Sequence, residues 1–325
     1  MKAVVCEQFG KPDQLVFGEL TQPEIDANQV LIEVKACGVN FPDTLIIQNL
    51  YQFNPELPFA PGGEVAGIAV EVGTEVKHIK KGDHVFALTG WGGLAEYVAA
   101  DGHKCLPMPE GMDFITGATT MYTCGTSLHA LKQRGKLQKG EKLLVLGASG
   151  GVGLAAVQIG KLMGAHVIAA ASTKEKLRIC EKSGADELIN YETTDLRAYM
   201  KEHHPQGIDV IYDPVGDRYA EPAVRSLAWG GRYLVVGFAA GKPSAIPMNL
   251  PLLKGASIVG VFWGAFAQKQ PKESMENFQQ ILGWIKTGQL KQHIHQVYSL
   301  ENAAQAIQDL MDRKVIGKNV VVIGN

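Results

Sequence analysis

A glycine-rich turn between a strand and a helix is the stretch of this sequence with the clearest chemical use. Residues 142–146 form a short apolar run typical of a buried strand, residues 147–153 read GASGGVG, and residues 154–163 are apolar at helical spacing. Such a turn lets backbone N–H groups at a helix N-terminus approach a pyrophosphate. The pattern therefore predicts a dinucleotide site, although Ala148 stands where the strict G-x-G-x-x-G motif has its first glycine.

The end of the next predicted strand bears on which dinucleotide is bound. An acidic residue there would bind the ribose 2′-hydroxyl of NAD, whereas small polar and basic residues suit the 2′-phosphate of NADP. The strand ends at Ala171 without an acid, and a serine, a threonine and two lysines follow. This favours NADPH, with Ser172 and Lys176 at the phosphate. The alternative is that Ser172 or Thr173 caps the following helix and that Lys174 and Lys176 are solvated.

Length, charge and cysteine usage limit the class of protein. The chain has 325 residues, 46% of them hydrophobic, and a formal net charge of −2. These values predict two domains and no general attraction to nucleic acid or to an anionic membrane. The five cysteines are scattered and form no C-x-x-C pair, which is typical of a reducing compartment. No apolar run approaches a membrane span or a signal peptide, so we expect a cytoplasmic α/β protein.

The elements that must position these residues fall into two patterns along the chain. Residues 1–118 contain short strand-like runs separated by turns, which is typical of a small β-rich domain. Residues 119–263 alternate strands with helices and predict a doubly wound parallel sheet of about six strands, among them 167–171, 187–190 and 209–213. Residues 264–325 hold two amphipathic helical stretches and a last strand at 319–323, which we expect to complete the β-rich domain.

Three ordered motifs carry a resemblance to a known family. They are residues 38–43 (GVNFPD), residues 58–67 (PFAPGGEVAG) and the nucleotide-binding stretch 140–161. The chain resembles the zinc-independent quinone oxidoreductases, the zeta-crystallin-like branch of the medium-chain dehydrogenase/reductase superfamily. The resemblance covers essentially the whole length. It implies a GroES-like β-rich catalytic domain and a Rossmann doubly wound cofactor domain.

The same resemblance speaks against a metal site. Zinc alcohol dehydrogenases have ligands at the positions that Asn40, Gly63 and Tyr122 occupy here. The four-cysteine lobe that binds structural zinc in those enzymes is missing between Val85 and Tyr97. A catalytic zinc needs about three protein ligands and an open position. We therefore predict that no zinc is bound.

Without a metal, the implied reaction is hydride transfer from NADPH to a quinone or another α,β-unsaturated carbonyl compound, which is already electrophilic. The resemblance implies that Asn40, Asp43 and Tyr51 lie near the nicotinamide. Asn40 would donate to the substrate oxygen or contact the cofactor ribose, and Tyr51 would donate a proton or orient the substrate. The alternatives are that Asn40 and Asp43 cap a helix that begins near Pro42, and that Tyr51 is a packed loop aromatic.

The resemblance also implies a set of cofactor contacts. Thr126 would lie near the nicotinamide ribose, the glycine turn on the pyrophosphate, and Tyr191 beside the 2′-phosphate. Lys318 would return to the cofactor from the tail, or would be only a charge that flanks the last strand. The full set is Asn40, Thr126, Ser149, Gly150, Gly151, Val152, Ser172, Lys176, Tyr191, Phe238, Phe262, Trp263 and Lys318.

Assembly and alternative functions complete the expectations. The apolar strand at 257–262 would be the exposed edge of its sheet and predicts a homodimer, or a tetramer, formed through that edge. One alternative is an enone or acyl-CoA alkene reductase with little quinone activity, although residues 48–60 contain no Lys or Arg for CoA. Another is a non-catalytic NADPH-binding protein of the crystallin or RNA-binding kind, which the absence of a basic–aromatic patch disfavours.

Overall fold

The computed structural model describes residues 1–324, which form two compact units. The first unit is Met1–Tyr122 together with the segment that begins at Ile294, and the second is Thr123–His293. The strands of the described range are β1 (Lys2–Val5), β2 (Val16–Glu19), β3 (Gln29–Gly38), β4 (Glu64–Val72), β5 (His84–Leu88), β6 (Tyr97–Asp101), β7 (Cys105–Pro107), β8 (Lys142–Leu146), β9 (His166–Ala171), β10 (Glu187–Asn190), β11 (Ile208–Asp213), β12 (Leu227–Val235), β13 (Ser257–Gly260), β14 (Ile294–Ser299) and β15 (Lys318–Val322).

The helices lie mostly in the second unit, between its strands. They are α1 (Phe41–Ile46), α2 (Phe114–His129), α3 (Gly151–Leu162), α4 (Lys174–Lys182), α5 (Leu196–His203), α6 (Ala220–Arg225), α7 (Asn249–Lys254), α8 (Trp263–Lys269), α9 (Pro271–Lys286) and α10 (Ala303–Met311). Over residues 1–324, no helix has the length and apolar character that crossing a membrane requires.

The first unit is built around the long strand β3. Its neighbours in the main sheet follow the order β14-β15-β3-β4-β5-β7, and β6 also pairs with β3. Strand β3 is almost continuously buried because partners and core side chains cover it, with Ile32 and Val34 in the core. Strand β15 pairs antiparallel with β3, with Val321 opposite Cys37, so the last strand completes this sheet as expected. This pairing brings the start of β15 beside the end of β3.

The second unit contains a six-stranded sheet in the order β10-β9-β8-β11-β12-β13, and all its pairs are parallel. This confirms the predicted doubly wound sheet. Its central strands β8 and β11 are buried along most of their length, as is typical of a parallel sheet with helices on both faces. The strand order reverses between β8 and β11, and ligands of such sheets bind beyond the carboxyl ends of the strands at this position.

Residues 264–293 lie in the second unit, whereas the sequence assigned them to the β-rich domain. The reason is that α8 and α9 pack on the second half of α2 and the turn that follows it. The rings of His129 and Phe266 stack with centroids 3.9 Å apart, and Lys132 Nζ donates to Asn277 Oδ1 at 3.0 Å. The first unit therefore resumes at Ile294.

Candidate cofactor and active site

The glycine turn after β8 has the geometry that the sequence predicts, with one change of register. Gly147 adopts the left-handed conformation, with φ of 56°, and Ala148 does not. Ala148 N donates to Ala170 O at 3.0 Å, and Gly150 N donates to Gly147 O at 3.0 Å. Alanine is therefore compatible with position 148, because the positive φ falls one residue earlier. Helix α3 begins at Gly151, directly after this turn.

The start of α3 is fixed by close packing and by a buried hydroxyl pair. A Cβ on Gly153 would lie 2.3 Å from Gly147 O, so only glycine fits where the helix passes the turn. Ser127 Oγ on α2 donates to Val152 O at 2.8 Å and lies 3.0 Å from the Tyr212 hydroxyl on β11. Ser127 was not predicted as a site residue, and its position beside Thr126 is the one signal for it in the sequence.

Of the loops after β11 and β12, the first is held by a buried carboxylate. Asp213 Oδ1 accepts hydrogen bonds from Val215 N at 2.7 Å and Gly216 N at 2.8 Å, and the Tyr233 hydroxyl donates to Asp213 Oδ2. Burial raises the pKa of Asp213. Phe238 lies in the second of these loops and is 39% exposed. Asp213 was not predicted as a site residue, although it ends a predicted strand.

Of Ser172 and Thr173, it is Thr173 that caps the helix following β9. Thr173 Oγ1 accepts a hydrogen bond from Lys176 N at 3.2 Å, so Thr173 is the N-cap of α4. Ser172 is half-buried, and its hydroxyl has no hydrogen-bond partner within residues 1–324. Lys176 is also half-buried, whereas Lys174 is exposed. Ser172 is therefore left available for a ligand.

Tyr191 belongs to an aromatic and charged cluster that follows β10 and β11. Its ring centroid lies 4.4 Å from that of Tyr219. The Tyr219 hydroxyl and the Arg218 guanidinium both donate to Glu192, with the Arg218 Nη2 to Glu192 Oε2 distance at 2.8 Å. Tyr191, which is predicted to lie beside the 2′-phosphate, thus packs against a residue of the adjacent loop.

The residues of the second unit that are predicted to contact the nicotinamide differ in their exposure and packing. Thr126 is half-buried on α2. Phe262 is 52% exposed just before α8, whereas Trp263 is buried. A Cβ on Gly125 would lie 2.6 Å from the Trp263 indole, so that ring is packed closely on α2. Trp263 can therefore offer its backbone to a ligand more readily than its ring.

In the first unit, Asn40, Asp43, Glu64 and Lys318 form one buried polar cluster. Lys318 Nζ donates to Asn40 Oδ1 at 2.6 Å and to Val39 O at 2.8 Å, and it lies 3.6 Å from Glu64 Oε2. Asn40 Nδ2 donates to Glu64 Oε2 at 2.9 Å. Burial lowers the pKa of Lys318 and raises that of Glu64, and their opposite charges counteract both shifts.

Asp43 joins this cluster to two backbone segments. Its Oδ2 accepts a hydrogen bond from Asn40 N at 2.7 Å, which is the cap expected at the start of α1. Its Oδ1 accepts a hydrogen bond from Gly62 N at 3.1 Å, where Gly62 has φ of 96°. Burial raises the pKa of Asp43 to about 6, even though both backbone donors favour the ionised form.

Tyr51 lies on the loop after α1 and is half-buried. Its ring packs edge-on against Phe53, with centroids 5.7 Å apart. Burial and the nearby charge of Asp43 raise the pKa of Tyr51, so its phenol stays protonated at neutral pH. Tyr51 is thus both a packed loop aromatic and a neutral hydroxyl close to the buried cluster.

Tyr122, which stands at a position compared above with a zinc ligand, has a structural role in the first unit. Tyr122 N donates to Glu64 Oε1 at 3.0 Å, and burial raises the pKa of the Tyr122 phenol. Across residues 1–324, no group of three or more His, Cys, Asp or Glu side chains is arranged to hold a metal ion. The five cysteines are free and buried, and burial raises the pKa of Cys37 well above its usual value.

Comparison with known proteins identifies the family. Residues 26–110 match the alcohol dehydrogenase GroES-like domain, and residues 151–281 match the domain described as zinc-binding dehydrogenase. Quinone oxidoreductase-like protein 2 of Bos taurus is 36% identical over 98% of this chain and 91% of its own length. Quinone oxidoreductase of Rattus norvegicus is 35% identical over 99% of this chain and 98% of its own length. The chain belongs to the zinc-independent quinone oxidoreductase family.

Solved structures of similar proteins have the fold described above. Escherichia coli quinone oxidoreductase, solved in complex with NADPH, matches with a TM-score of 0.92 and 28% identity over 99% of this chain and 100% of that chain. A probable oxidoreductase from Mycobacterium abscessus matches with a TM-score of 0.90 and 35% identity over 99% of this chain and 98% of that chain. Membership of the quinone oxidoreductase family confirms the expected GroES-like and Rossmann domains.

Within each unit, the structure brings most of the predicted residues together. Asn40, Asp43 and Lys318 share one buried cluster in the first unit, with Tyr51 nearby. The predicted residues of the second unit lie mainly on the turns that follow its parallel strands. Glu64 lies in the family motif at residues 58–67, but it was not predicted as a site residue.

Two glycines of the turn are expected to respond differently to alanine. On Gly150, the nearest atom to an added Cβ is Gly147 O at 3.5 Å, so Gly150→Ala should change the free energy of unfolding by less than about 0.5 kcal/mol. Its methyl would occupy the approach of the pyrophosphate, so we expect NADPH binding to weaken about tenfold or more. Gly153→Ala meets the backbone and should cost about 1–3 kcal/mol. Chemical denaturation and NADPH titration measure both effects, and unchanged NADPH affinity in Gly150→Ala would contradict the prediction.

Asp43 should give the protein a characteristic dependence of stability on pH. Its folded-state pKa is raised, so its contribution is full below the unfolded pKa near about 4 and is lost as the pH rises through about 6. The slope is at most about 1.4 kcal/mol per pH unit. Asp43→Asn should be less stable overall, because one of the two acceptors is lost, and it should lack this slope.

Denaturation of both proteins between pH 4 and pH 7 measures the difference. The gap in the free energy of unfolding between wild type and Asp43→Asn is expected to narrow as the pH rises. Parallel curves would show that Asp43 is ionised throughout this range.

Proposed function

We propose that this protein is an NADPH-dependent reductase that transfers a hydride to quinones or other α,β-unsaturated carbonyl compounds without zinc. The observation that carries the proposal is the glycine turn at the switch point of a six-stranded parallel sheet, in a chain 35% identical to a quinone oxidoreductase over 99% of its length. The turn offers backbone N–H groups to a pyrophosphate, and the fold is that of an oxidoreductase family.

The choice of NADPH rests on the residues after β9. No acid ends that strand, the cap of α4 is supplied by Thr173, and Ser172 and Lys176 are both half-buried beside it. A hydroxyl and an ammonium suit a 2′-phosphate, whereas an acid would repel it. The Escherichia coli quinone oxidoreductase and a mycobacterial relative, Rv1454c, were both solved in complex with NADPH.

The chemistry divides between cofactor and protein. Bound NADPH would supply the hydride. Reduction of a quinone or an enone also requires a proton, and the neutral phenol of Tyr51 is a candidate to donate it or to orient the acceptor. Asp43 would position this part of the site, because its carboxylate holds both the start of α1 and Gly62.

The loop that carries Tyr51 fits an apolar acceptor. Leu50, Phe53 and Leu57 are exposed, and residues 48–60 contain no Lys or Arg. Such a loop offers contact area to a flat aromatic ring and no cation to the phosphates of CoA. We therefore place quinones and simple enones ahead of acyl-CoA alkenes as acceptors.

The absence of zinc is proposed from the donor set. Asn40 uses its side-chain amide within the buried cluster, Gly63 has no side chain, and the Tyr122 phenol is held protonated by burial. None of these three groups is a ligand that zinc prefers. Hydride transfer here would thus rely on the electrophilicity of the acceptor.

Location and assembly are also proposed. Five free, buried thiols suit the reducing environment of the cytoplasm.

We propose a homodimer formed through β13, which pairs on one side with β12. Large apolar side chains lie exposed on β12 and α7, with Trp229 82% and Leu252 76% exposed. A second copy on this edge would pair the free strand and cover apolar surface.

An oxidation assay tests the proposed activity. The purified protein should oxidise NADPH faster than NADH with 9,10-phenanthrenequinone as acceptor, and a chelator should not change the rate. Lys176→Ala should raise the KM for NADPH about tenfold or more and leave the KM for NADH nearly unchanged, because it removes one charge-assisted hydrogen bond. Lys174→Ala is the matched control, since Lys174 is exposed at the start of the same helix.

Three results would overturn parts of this proposal. Binding of NADPH without turnover of a quinone or 2-cyclohexenone would indicate a binding protein. A preference for NADH would contradict the assignment of Ser172 and Lys176. Loss of activity on chelation would contradict the zinc-free mechanism.

The dimer should depend on the edge of the parallel sheet. Ile258→Lys places a charge on exposed β13 and should convert the dimer to a monomer, as light scattering after size exclusion would show. Val297→Lys is the control, because it lies on β14, the end strand of the other sheet, and is similarly exposed. A dimer that survives Ile258→Lys and dissociates with Val297→Lys would place the interface elsewhere.

A further inference from the structure

An acidic residue lies beside the predicted 2′-phosphate site that follows β9. Strand β10 runs parallel to β9 with Asn190 opposite Ala171, and Tyr191 N donates to Ala171 O at 3.2 Å. Tyr191 and Glu192 therefore leave β10 where Ser172 leaves β9. The next turn is fixed, because Glu192 N donates to Asn190 Oδ1 at 3.1 Å. A carboxylate at this place would repel a phosphate unless its own charge is compensated.

The compensating charge comes from Arg218. Its Nη2 donates to Glu192 Oε1 at 3.0 Å and to Glu192 Oε2 at 2.8 Å. The Tyr219 hydroxyl donates to Glu192 Oε1 at 2.5 Å and accepts a hydrogen bond from Arg218 Nη2 at 2.6 Å. Strands β8 and β9 lie between β10 and β11 in the sheet, so the segment after β11 reaches across to neutralise this acid.

Aromatic rings hold the guanidinium in this position. Arg218 Cζ lies 4.9 Å from the centroid of the Tyr219 ring, and that ring centroid lies 4.4 Å from the centroid of Tyr191. A guanidinium over an aromatic face is attracted by the electron density of the ring. Arg218 is thus linked to Tyr191 through one ring and to Glu192 through hydrogen bonds.

The exposure of this ion pair separates its effect on the fold from its effect on binding. The side chains of Arg218 and Glu192 are 64% and 43% exposed. Exposed ion pairs contribute little to the stability of a fold, because water screens both charges. We therefore expect the pair to matter mainly for a charged ligand that binds beside it.

We infer that Arg218 is a positioning residue that sets the preference for NADPH over NADH, because it holds and neutralises Glu192 beside the 2′-phosphate site. This inference rests on the proposed NADPH-dependent function and concerns the adenosine end of the cofactor alone. Lys176 and Arg218 carry two positive charges against the one negative charge of Glu192. Without Arg218, Glu192 would offset the charge of Lys176, and a phosphate would gain little over a hydroxyl.

Two fragments of the cofactors test the inference by binding alone. Adenosine 2′,5′-bisphosphate and AMP differ only in the 2′-phosphate, and calorimetry with the full-length protein gives the Kd of each. Arg218→Gln should weaken binding of the bisphosphate about threefold to tenfold and change that of AMP by less than about twofold. Glu192→Gln should strengthen binding of the bisphosphate, because it removes the repelling charge.

The double variant E192Q/R218Q has the same net charge as wild type and should recover most of the affinity for the bisphosphate. Arg225→Gln is the matched control, because Arg225 Nη2 forms an ion pair with Glu221 Oε1 at 2.6 Å, on α6. It should leave both Kd values unchanged. The thermal midpoint should change little in every variant. The effect of Arg218→Gln should shrink at an ionic strength of about 1 M, where the Debye length is about 3 Å.

Three outcomes would overturn the inference. Equal loss of affinity for AMP and the bisphosphate in Arg218→Gln, with a lower thermal midpoint, would show that Arg218 only supports the fold. A loss that persists in the double variant would show that Arg218 contacts the phosphate itself and does not act through Glu192. An unchanged preference for the bisphosphate in Arg218→Gln would refute the role of Arg218 and leave the proposed function standing.

The proposed function fails in a different way. Wild-type protein that binds the bisphosphate no more tightly than AMP would refute the preference for NADPH itself. In that case the single variants have no preference to change, and the inference falls with the assignment of the 2′-phosphate site.

Discussion

A buried charge must find its partners inside the protein, and the candidate active site of the first unit is organised by this constraint. The ammonium of Lys318 is removed from water, and it is satisfied by Asn40 Oδ1, Val39 O and the nearby Glu64. Lys318 and Asn40 are 278 residues apart in the sequence. The last strand therefore does more than join β14 to β3 in the sheet, because its Lys318 supplies the charge that orders the loop at Asn40.

The second unit meets a different constraint, which is the close approach of backbone to backbone. Gly153 leaves no room for a side chain beside Gly147, and Ser127 ties the first turn of α3 to α2. Asp213 fixes the turn after β11, because its carboxylate accepts hydrogen bonds from two successive backbone N–H groups. In both units, buried polar groups hold the loops on which predicted ligand contacts lie. Such support fixes the geometry that positioning of reactants requires.

The sequence was most informative where its signals are local. The predicted strands at 167–171 and 187–190 nearly coincide with β9 and β10, and the helix predicted after the glycine turn is α3. The contacts of Lys318 could not be predicted, because the sequence leaves open whether it meets a cofactor or a neighbouring strand. The domain of residues 264–293 was also misjudged, since helix periodicity shows that a face is buried and not which helix covers it.

Glu64, which was not predicted as a site residue, joins the segments of the first unit that carry Asn40 and Tyr122. In zinc relatives, one ion draws together the segments that here carry Asn40, Gly63 and Tyr122. In this chain the carboxylate of Glu64 joins the same segments, because it follows Gly63 and binds Asn40 Nδ2 with one oxygen and Tyr122 N with the other. A hydrogen-bonded carboxylate can hold backbone and amide groups in place, but it offers no Lewis acidity. A site built in this way agrees with the proposed reduction of acceptors that are electrophilic without activation, which is the chemical property shared by quinones and enones.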